Sequence, residues 1–373
     1  MISLMNVTKL AGRAASCWLH RRPMNTSTEM RITRLCSQRC RQCDVYNRRT
    51  RPPSLDLDRF RILAGRLRDY GAHVGLISGG EPLLAPDVED ILREARRTFP
   101  VAVTLVTGLY DGIQRVERVA RTALDLDINF QTSLDGLGEL GDDLRGVSDF
   151  APTVTDRMRR IARLKAQSGA RSLLYANVVI NNRNLHQVPQ LLDRISECGW
   201  QATVGLYHTL TETTKTDEEL ILRPGPGLRE TLGRIKAHPA LLNLSAFVRG
   251  IESAAAGRYP RFCPYLDAPV LSTRTVVMED GEVYLCRGGS IGNLFRQDLR
   301  EIFSGPAYRQ RLQEYRTCPG CWASCYAERY LLFHPPNVED FLDTVRKVHR
   351  LRSGFELNAR TADNGSPSTP GGR

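Results

Sequence analysis

The 373-residue sequence contains no apolar run approaching the ~20 residues that a membrane-spanning helix needs. Its first residues lack the continuous apolar core of a secretory signal peptide. There is no block of basic residues interleaved with aromatic ones, so nucleic acid is not an expected partner. The excess of 52 Lys and Arg over 41 Asp and Glu is dispersed along helical segments, as on a solvated surface. We therefore expect a cytoplasmic protein.

Residues 1–28 contain no Asp or Glu, although they carry Lys9, Arg13, Arg21 and Arg22. Apolar residues between these charges indicate a basic amphipathic helix. An ordinary leading helix that covers one end of the fold is the favoured interpretation. A transit peptide and a membrane-surface contact through residues 1–22 are the alternatives.

The ten cysteines are not spread as in a disulfide framework, because eight lie in two groups and only Cys17 and Cys198 lie outside. Clustered thiols of this kind favour metal binding. The first group is Cys36, Cys40 and Cys43. Three thiolates can hold three corners of a cubane iron–sulfur cluster and leave one iron open to another ligand. A zinc site, which usually takes four ligands in two pairs, and scattered structural cysteines are the alternatives.

From residue 28 onward, apolar strand-like runs alternate with segments of helical periodicity. Strands are predicted over Met30–Leu35, Gly75–Ser78, Val101–Thr107, Asp127–Ser133, Leu173–Ile180 and Ala202–Leu206. Helices are predicted over Leu55–Tyr70, Asp87–Thr98, Gly112–Leu124, Val154–Gln167 and His186–Cys198. Such repeats imply parallel strands joined by crossover helices. Six units in about 180 residues predict an α/β fold with a partial (β/α)6 TIM-like barrel, since a full barrel needs about 250.

The predicted second strand ends in the turn Gly79-Gly80-Glu81-Pro82. Ligands of parallel sheets lie beyond the carboxyl ends of the strands, so this turn and the cysteine triad point into one mouth. With both motifs in this order, the sequence resembles the radical S-adenosylmethionine superfamily. The resemblance implies a [4Fe–4S] cluster on the triad, whose open iron chelates the amino and carboxylate groups of S-adenosylmethionine. It also implies that Gly79, Gly80 and Glu81 contact that cofactor.

Two further motifs resemble the peptide- and sugar-modifying branch of this superfamily. Ser133 begins a Ser-x-Asp-Gly turn, and Arg145 follows in an Arg-Gly pair. In relatives these two residues contact the methionine carboxylate, which an arginine fork pairs with well; a plain turn and a solvated arginine are the alternative. Asn177 on the fifth strand is a further candidate for a cofactor or substrate contact. Gln42 in place of an aromatic residue, and Thr107-Gly108-Leu109 in place of Thr-Asn-Gly, leave the adenine contacts unassigned.

The second cysteine group comprises Cys263, Cys286, Cys318, Cys321 and Cys325. A turn at Asp280-Gly281 followed by an alternating strand predicts a hairpin that brings Cys286 beside a loop. The pattern resembles the SPASM auxiliary-cluster domain, in the shortened one-cluster form called twitch. The resemblance implies one auxiliary iron–sulfur cluster, expected to be [4Fe–4S], on Cys263, Cys286, Cys318 and Cys321. Structural zinc on the same thiolates is the alternative.

Cys325 is the spare thiol of this group. It is interpreted as a replacement cluster ligand, as a hydrogen donor to a substrate radical, or as a packed side chain. The predicted domains are an extension at 1–27, the barrel at 28–225, a helical linker with the auxiliary domain at 226–335, and a helix with a disordered tail at 336–373. Residues 208–226 read as a linker, which in an open barrel could also serve as a lid.

The resemblance implies an enzyme that cleaves S-adenosylmethionine to a 5′-deoxyadenosyl radical and abstracts hydrogen from an unactivated carbon. Flavodoxin or ferredoxin is the implied type of electron donor. The one-cluster domain favours a small polar natural-product substrate, such as a sugar, an aminocyclitol or a nucleoside-like molecule. Oxidation, epimerisation or another radical rearrangement is the expected outcome. Maturation of a ribosomally made peptide, lipid modification and a non-enzymatic zinc-stabilised binding protein are the alternatives.

Overall fold

The computed structural model describes residues 12, 14–45, 54–208, 214–260, 262–267 and 269–347. Six parallel strands pair in chain order, each with its sequence neighbour. These strands are β1 (Ser27–Arg31), β2 (Val74–Ser78), β3 (Ala102–Val106), β4 (Asn129–Ser133), β5 (Leu174–Ile180) and β6 (Gln201–Leu206). They form the partial barrel that the sequence predicts.

Crossover helices cover the outer face of this sheet. They are α1 (Leu57–Tyr70), α2 (Val88–Thr98), α3 (Ile113–Asp125), α4 (Gly138–Arg145), α5 (Phe150–Ser168) and α6 (Val188–Glu197). Their buried apolar stripes pack on outward-facing residues of the strands, such as Met30, Ile77 and Phe130. The helices therefore occupy one face of the sheet, and the opposite, inner face is left to line the barrel interior.

The C-terminal part of the chain extends the same sheet. Strands β7 (Arg274–Val277), β8 (Glu282–Tyr284) and β9 (Gly292–Asn293) follow β1, so that the order is β6-β5-β4-β3-β2-β1-β7-β8-β9. β7 runs parallel to β1, and the β7–β8 hairpin turns at Asp280-Gly281 as predicted. The pairing of β7 with β1 carries the auxiliary cysteines to the edge of the barrel.

The remaining helices complete the C-terminal region. They are α7 (Pro226–Lys236), α8 (Ser245–Ala255), α9 (Pro264–Asp267), α10 (Pro269–Ser272), α11 (Leu299–Ser304), α12 (Pro306–Tyr315) and α13 (Ser324–Phe333). α13 contacts β6 on one side and α10 on the other. Because β6 and β7 lie on opposite sides of the six-stranded sheet, α13 covers the open seam between them and turns Cys325 and Arg329 toward the interior.

Several predicted boundaries differ from the structure. The first strand is predicted at Met30–Leu35, but β1 ends at Arg31, because residues 32–35 leave the ladder to bond the turn after β2. α4 is not predicted at all. Of the C-terminal region predicted at 336–373 as a helix with a disordered tail, residues 338–347 are helical, and the predicted tail lies outside the described residues. So do most of the N-terminal segment and residues 348–373.

No helix in the described ranges is long and apolar enough to cross a membrane.

Candidate functional site

The turn after β2 is held against the cysteine loop by backbone contact. Gly80 N donates to Thr33 O at 2.7 Å, and Glu81 N donates to Leu35 O at 2.6 Å. A Cβ on Gly79 would clash with the Thr33 carbonyl, and one on Gly80 would clash with the Leu35 carbonyl. Gly79 also has φ +155°, in the region that favours glycine. The two glycines are therefore required for this close approach.

The Glu81 side chain is buried at the end of this turn. Its carboxylate accepts from the Thr107 hydroxyl at 2.7 Å, from Gly108 N at 2.7 Å and from Leu83 N at 3.1 Å. Thr107-Gly108-Leu109 stands in place of the Thr-Asn-Gly of relatives. This difference has a structural role, because Thr107 and Gly108 both bind the Glu81 carboxylate. Burial raises the pKa of Glu81 to about 7, against the opposing effect of the three hydrogen bonds.

This shift predicts a pH-dependent stability of the metal-free protein. The pKa of Glu81 in the folded protein lies above its ordinary value of 4.5. Between pH 4.5 and about 7, the native protein therefore binds more protons than the unfolded chain. The free energy of unfolding should therefore fall by about 3 kcal/mol as the pH rises from about 4.5 to 7, and level off above. Urea unfolding of wild type and Glu81→Gln across this range measures the difference. The variant should lack this decline, whereas Glu139→Gln, an exposed control, should keep it; equal slopes in all three proteins would contradict the assignment.

The cysteine triad lies in the loop that follows β1. Cys36, Cys40 and Cys43 line one cavity of about 160 Å³ together with Glu81 and Ser133. Burial raises the pKa of Cys36 to about 12 and also raises the pKa of Cys40. At neutral pH these thiols keep their protons until a metal displaces them, as for buried thiolate ligands in general.

Arg145 organises the floor of this cavity. Its Nη2 pairs with the Asp135 carboxylate, and its Nη1 lies 3.8 Å from Cys40 Sγ and 3.5 Å from Gln38 Oε1. Asp135 also accepts from Val179 N at 2.7 Å. Arg145 is thus buried and paired with a carboxylate of the chain itself, so the alternative of a solvated arginine is wrong.

The sequence indicates Asp135 only as part of a turn, whereas in the structure it is the buried partner of Arg145. Its carboxylate also accepts from Gln42 Nε2 at 3.2 Å. Gln42 stands where relatives often carry an aromatic residue, and it ties the triad loop to β4. The available signal was a carboxylate two residues beyond the end of a strand, where parallel sheets place functional groups.

The described part of the predicted linker is fastened across the triad loop. Arg41 donates to Asp217 at 2.8 Å, to Glu219 at 2.9 Å and to Asp143 at 3.1 Å. Lys215 N donates to the Gln42 carbonyl at 3.1 Å. Residues 214–219 therefore lie over the loop, while residues 209–213 are outside the described part of the chain.

Ser133 and Asn177 are neighbours in register at the carboxyl end of the barrel, on β4 and β5. Ser133 lines the triad cavity, and Asn177 does not. Asn177 accepts from the Thr203 hydroxyl at 3.1 Å and faces the interior of the barrel. This position suits a contact to a substrate better than one to a ligand of the triad.

The auxiliary cysteines converge on a second cavity of about 540 Å³. Cys263, Cys286, Cys318 and Cys321 all line it. Burial raises the pKa of Cys286 to about 12 and that of Cys321 to about 11, and the neighbouring thiols raise both further. The structure thus brings together the four thiols that the sequence predicts as one ligand set.

Cys325 occupies a different place from these four. It does not line the auxiliary cavity, although it is close enough to Cys286 and Cys321 to raise their pKa. Its other charged neighbours include Arg274, Glu29 and Arg329 inside the barrel. Cys325 therefore lies between the auxiliary cysteines and the barrel interior.

The residues present fit the groups that the sequence implies. Within the described part of the chain, Gln38 Nε2 and Arg145 Nε are buried without a hydrogen-bond partner, and both residues line the triad cavity. Such donors suit the carboxylate of a bound ligand. No group of three or more His, Cys, Asp or Glu side chains in the described ranges is close enough to hold a metal ion. A multi-iron cluster spreads its thiolate ligands around a cubane, and both thiol sets border cavities.

Comparison with known families agrees with this geometry. The model of the radical SAM superfamily matches residues 30–195, and that of the SPASM iron-sulfur cluster-binding domain matches residues 269–326. The chain belongs to the radical SAM superfamily. The cofactors predicted from the motifs, S-adenosylmethionine and [4Fe–4S] clusters, are confirmed at the level of these two domains.

Two curated relatives each match less than half of the chain. Fe-coproporphyrin III synthase of Methanosarcina barkeri is 23% identical over 167 residues, covering 44% of this chain and 40% of that protein. Pre-heme d1 synthase of Dinoroseobacter shibae is 27% identical over 169 residues, covering 43% of this chain and 38% of that protein. The match thus spans about two fifths of the length of these relatives.

Solved structures share the fold over most of this radical SAM chain. Streptococcus suis SuiB bound to S-adenosylmethionine has a TM-score of 0.58 at 18% identity, covering 82% of this chain and 72% of that one. anSMEcpe with bound AdoMet has a TM-score of 0.58 at 15% identity, covering 89% of this chain and 99% of that one. The predicted α/β architecture, a partial barrel with a small C-terminal iron–sulfur domain, is confirmed.

Proposed function

We propose that this protein removes a hydrogen atom from a small polar substrate held inside the partial barrel, in the biosynthesis of a natural product. The observation that carries the proposal is the polar inner face of the sheet. Barrel interiors are usually filled by branched apolar side chains. Here the inward positions of the strands include Glu29, Arg31, Ser78, Thr104, Gln131, Ser133, Tyr175, Asn177 and Thr203.

The proposed roles follow from the contacts described above. Cys36, Cys40 and Cys43 hold the first [4Fe–4S] cluster, and the Gly79-Gly80 backbone with Glu81 forms one wall for S-adenosylmethionine. When bound, these two cofactors together supply a 5′-deoxyadenosyl radical, the agent of hydrogen abstraction. Ser133 and Arg145, whose Nε is buried without a hydrogen-bond partner, line this cavity and would bind the methionine carboxylate. The segment 214–219 over the triad loop helps to exclude water from the site.

Cys263, Cys286, Cys318 and Cys321 are proposed to hold one auxiliary [4Fe–4S] cluster. Cys325, outside their cavity and turned toward the interior, is proposed to donate a hydrogen atom to the substrate radical. The thiyl radical that this leaves on Cys325 is returned to the thiol by one electron from the flavodoxin- or ferredoxin-type donor and one proton. Its place between the auxiliary thiols and Arg274 supports this role over that of a replacement ligand. A redox-neutral outcome such as epimerisation is therefore favoured over net oxidation.

The test is anaerobic turnover with S-adenosylmethionine and reduced flavodoxin or ferredoxin, using wild type and Cys325→Ala. A small polar substrate should raise 5′-deoxyadenosine release at least about tenfold over the substrate-free rate. Cys325→Ala should retain this release and all of its iron but fail to form the final product. Loss of auxiliary iron in that variant, as expected for the control Cys321→Ala, would instead make Cys325 a ligand.

Peptide maturation is the second candidate, because one of the similar solved structures is SuiB bound to the precursor peptide SuiA. That likeness, at 18% identity, concerns the fold. The substrate panel should therefore contain sugars, aminocyclitols, nucleosides, a peptide, and a tetrapyrrole suggested by the names of the two curated relatives. Stimulation by the peptide alone would replace the small-molecule proposal.

A further inference from the structure

The barrel interior contains a group of charged side chains below the triad cavity. Glu29 and Arg31 point inward from β1 and pair at 2.9 Å, and Arg274 on β7 also pairs with Glu29. Ser78, which lines the triad cavity, donates to Glu29 at 2.8 Å. Burial opposes ionisation of Glu29, but Arg31 and Arg274 lower its pKa to about 2. Its carboxylate is therefore charged at neutral pH.

Arg329 adds a third guanidinium to this interior from α13. Its Nη1 lies 3.1 Å from Thr26 Oγ1, and its Nη2 lies 2.7 Å from Ser27 Oγ. Among the described residues, no carboxylate lies within the 4.0 Å of an ion pair with Arg329. Burial and the neighbouring Arg274 lower the pKa of Arg329 to about 10, so it too is charged at neutral pH.

The charges of this group do not balance. Arg31, Arg274 and Arg329 supply three positive charges, and Glu29 supplies one negative charge, which leaves a net charge of +2. The Nε of Arg274 is buried without a hydrogen-bond partner in the described part of the chain. Besides Arg274, the titratable groups with the largest effect on the pKa of Arg329 are Cys325 and the phenols of Tyr265 and Tyr326, and raised pKa values keep all three neutral.

Uncompensated charge is costly to bury, typically by several kcal/mol for each ion. A fold can keep such a group when a bound ligand supplies the missing negative charge. Guanidinium forks match the oxygens of a carboxylate or a phosphate and can bind them in a bidentate manner. The group also lies between the triad cavity, through Ser78, and Cys325. An anion here would sit beside the proposed hydrogen donor.

We propose that Arg274 and Arg329 bind an oxyanion of the substrate, a carboxylate or a phosphate, inside the barrel. The inference deepens the proposed function, on which it rests: the small polar substrate is anionic. The oxyanion fixes its orientation between the cofactor and Cys325. This subsite is separate from Arg145, which lines the cofactor cavity.

Calorimetric titration of the reconstituted holoenzyme tests the proposal. The enzyme is saturated with S-adenosylmethionine, so that the subsite for the cofactor carboxylate is filled. Inorganic phosphate and glutarate are the two probes, at ionic strength matched with sodium chloride. We expect the better probe to bind with a Kd on the order of 1 mM. Arg329→Met should weaken it at least about tenfold, Arg329→Lys less, and the exposed control Arg121→Met not at all.

Two readouts separate this account from a structural role. Without added anion, Arg329→Met should melt at the same temperature as wild type or higher, since it removes a partly buried charge that has no carboxylate partner among the described residues. A lower melting temperature, or unchanged probe binding in the variant, would overturn the proposal. So would a shifted midpoint potential of the auxiliary cluster with unchanged binding, because the arginines would then balance cluster charge. Failure of 5′-deoxyadenosine release would reject the proposed function without affecting these titrations.

Discussion

Replacing Cys36 with alanine is expected to abolish 5′-deoxyadenosine formation from S-adenosylmethionine. The side chain is one of three thiols around the triad cavity, and a cubane cluster held by two thiolates lacks the ligands to persist there. Iron content should fall from about eight to about four atoms per chain, because the auxiliary set is separate. Iron and sulfide analysis with chromatographic assay of 5′-deoxyadenosine measures both effects.

The matched control for this substitution is Cys198→Ala. Cys198 is buried at the end of α6, far along the chain from both thiol sets, and its Sγ donates to the Thr155 carbonyl at 3.7 Å. This variant should keep all of its iron and its cleavage activity. Retention of full iron and activity by Cys36→Ala would show that the triad is not the initiating cluster.

Replacing Arg145 with methionine is expected to destabilise the metal-free protein by about 3–5 kcal/mol. The reason is that Asp135, 1% exposed, loses its paired cation and remains as a buried carboxylate. Its bonds from Val179 N and Gln42 Nε2 stay in place but do not supply a full charge. Urea unfolding of wild type and variant at neutral pH measures the loss.

A double-mutant cycle isolates this pair. Asp135→Asn combined with Arg145→Met removes both charges, so the double variant should be more stable than Arg145→Met alone, with a coupling of about 1–3 kcal/mol. Additive effects of the two substitutions would contradict the account of Arg145 as the partner of Asp135. Arg163→Met, on an exposed face of α5, serves as the surface control.

Much of the barrel could be predicted from local pattern. Strands β2 to β6 and their helices follow apolar runs and helical periods, and most of their ends differ from prediction by one or two residues. The first strand is predicted too far along the chain because Ile32 to Leu35 continue its strand-like run. In the structure the Thr33 and Leu35 carbonyls instead accept from the Gly80 and Glu81 amides of the turn after β2. Local sequence does not specify which backbone partner a short extended run will find.

The thiol sets and the glycine turn could also be predicted, since their residue types and spacing are unusual. The charged interior of the barrel could not be predicted from the sequence. Ser27, Glu29 and Arg31 alternate along β1, which indicates a polar face, but only the fold shows that this face is concave. Arg274 and Arg329 reach it through the pairing of β7 with β1 and the packing of α13. Contacts between residues some 245 to 300 positions apart leave no local signal.

One anaerobic experiment tests the central claim most directly. Reconstituted wild-type protein is analysed for iron and sulfide, reduced, mixed with S-adenosylmethionine, and assayed for 5′-deoxyadenosine beside Cys36→Ala. We predict about eight irons per chain and 5′-deoxyadenosine from wild type only. Zinc-bound thiolates without iron, or equal 5′-deoxyadenosine formation by both proteins, would contradict the assignment of Cys36, Cys40 and Cys43 to the radical-initiating cluster.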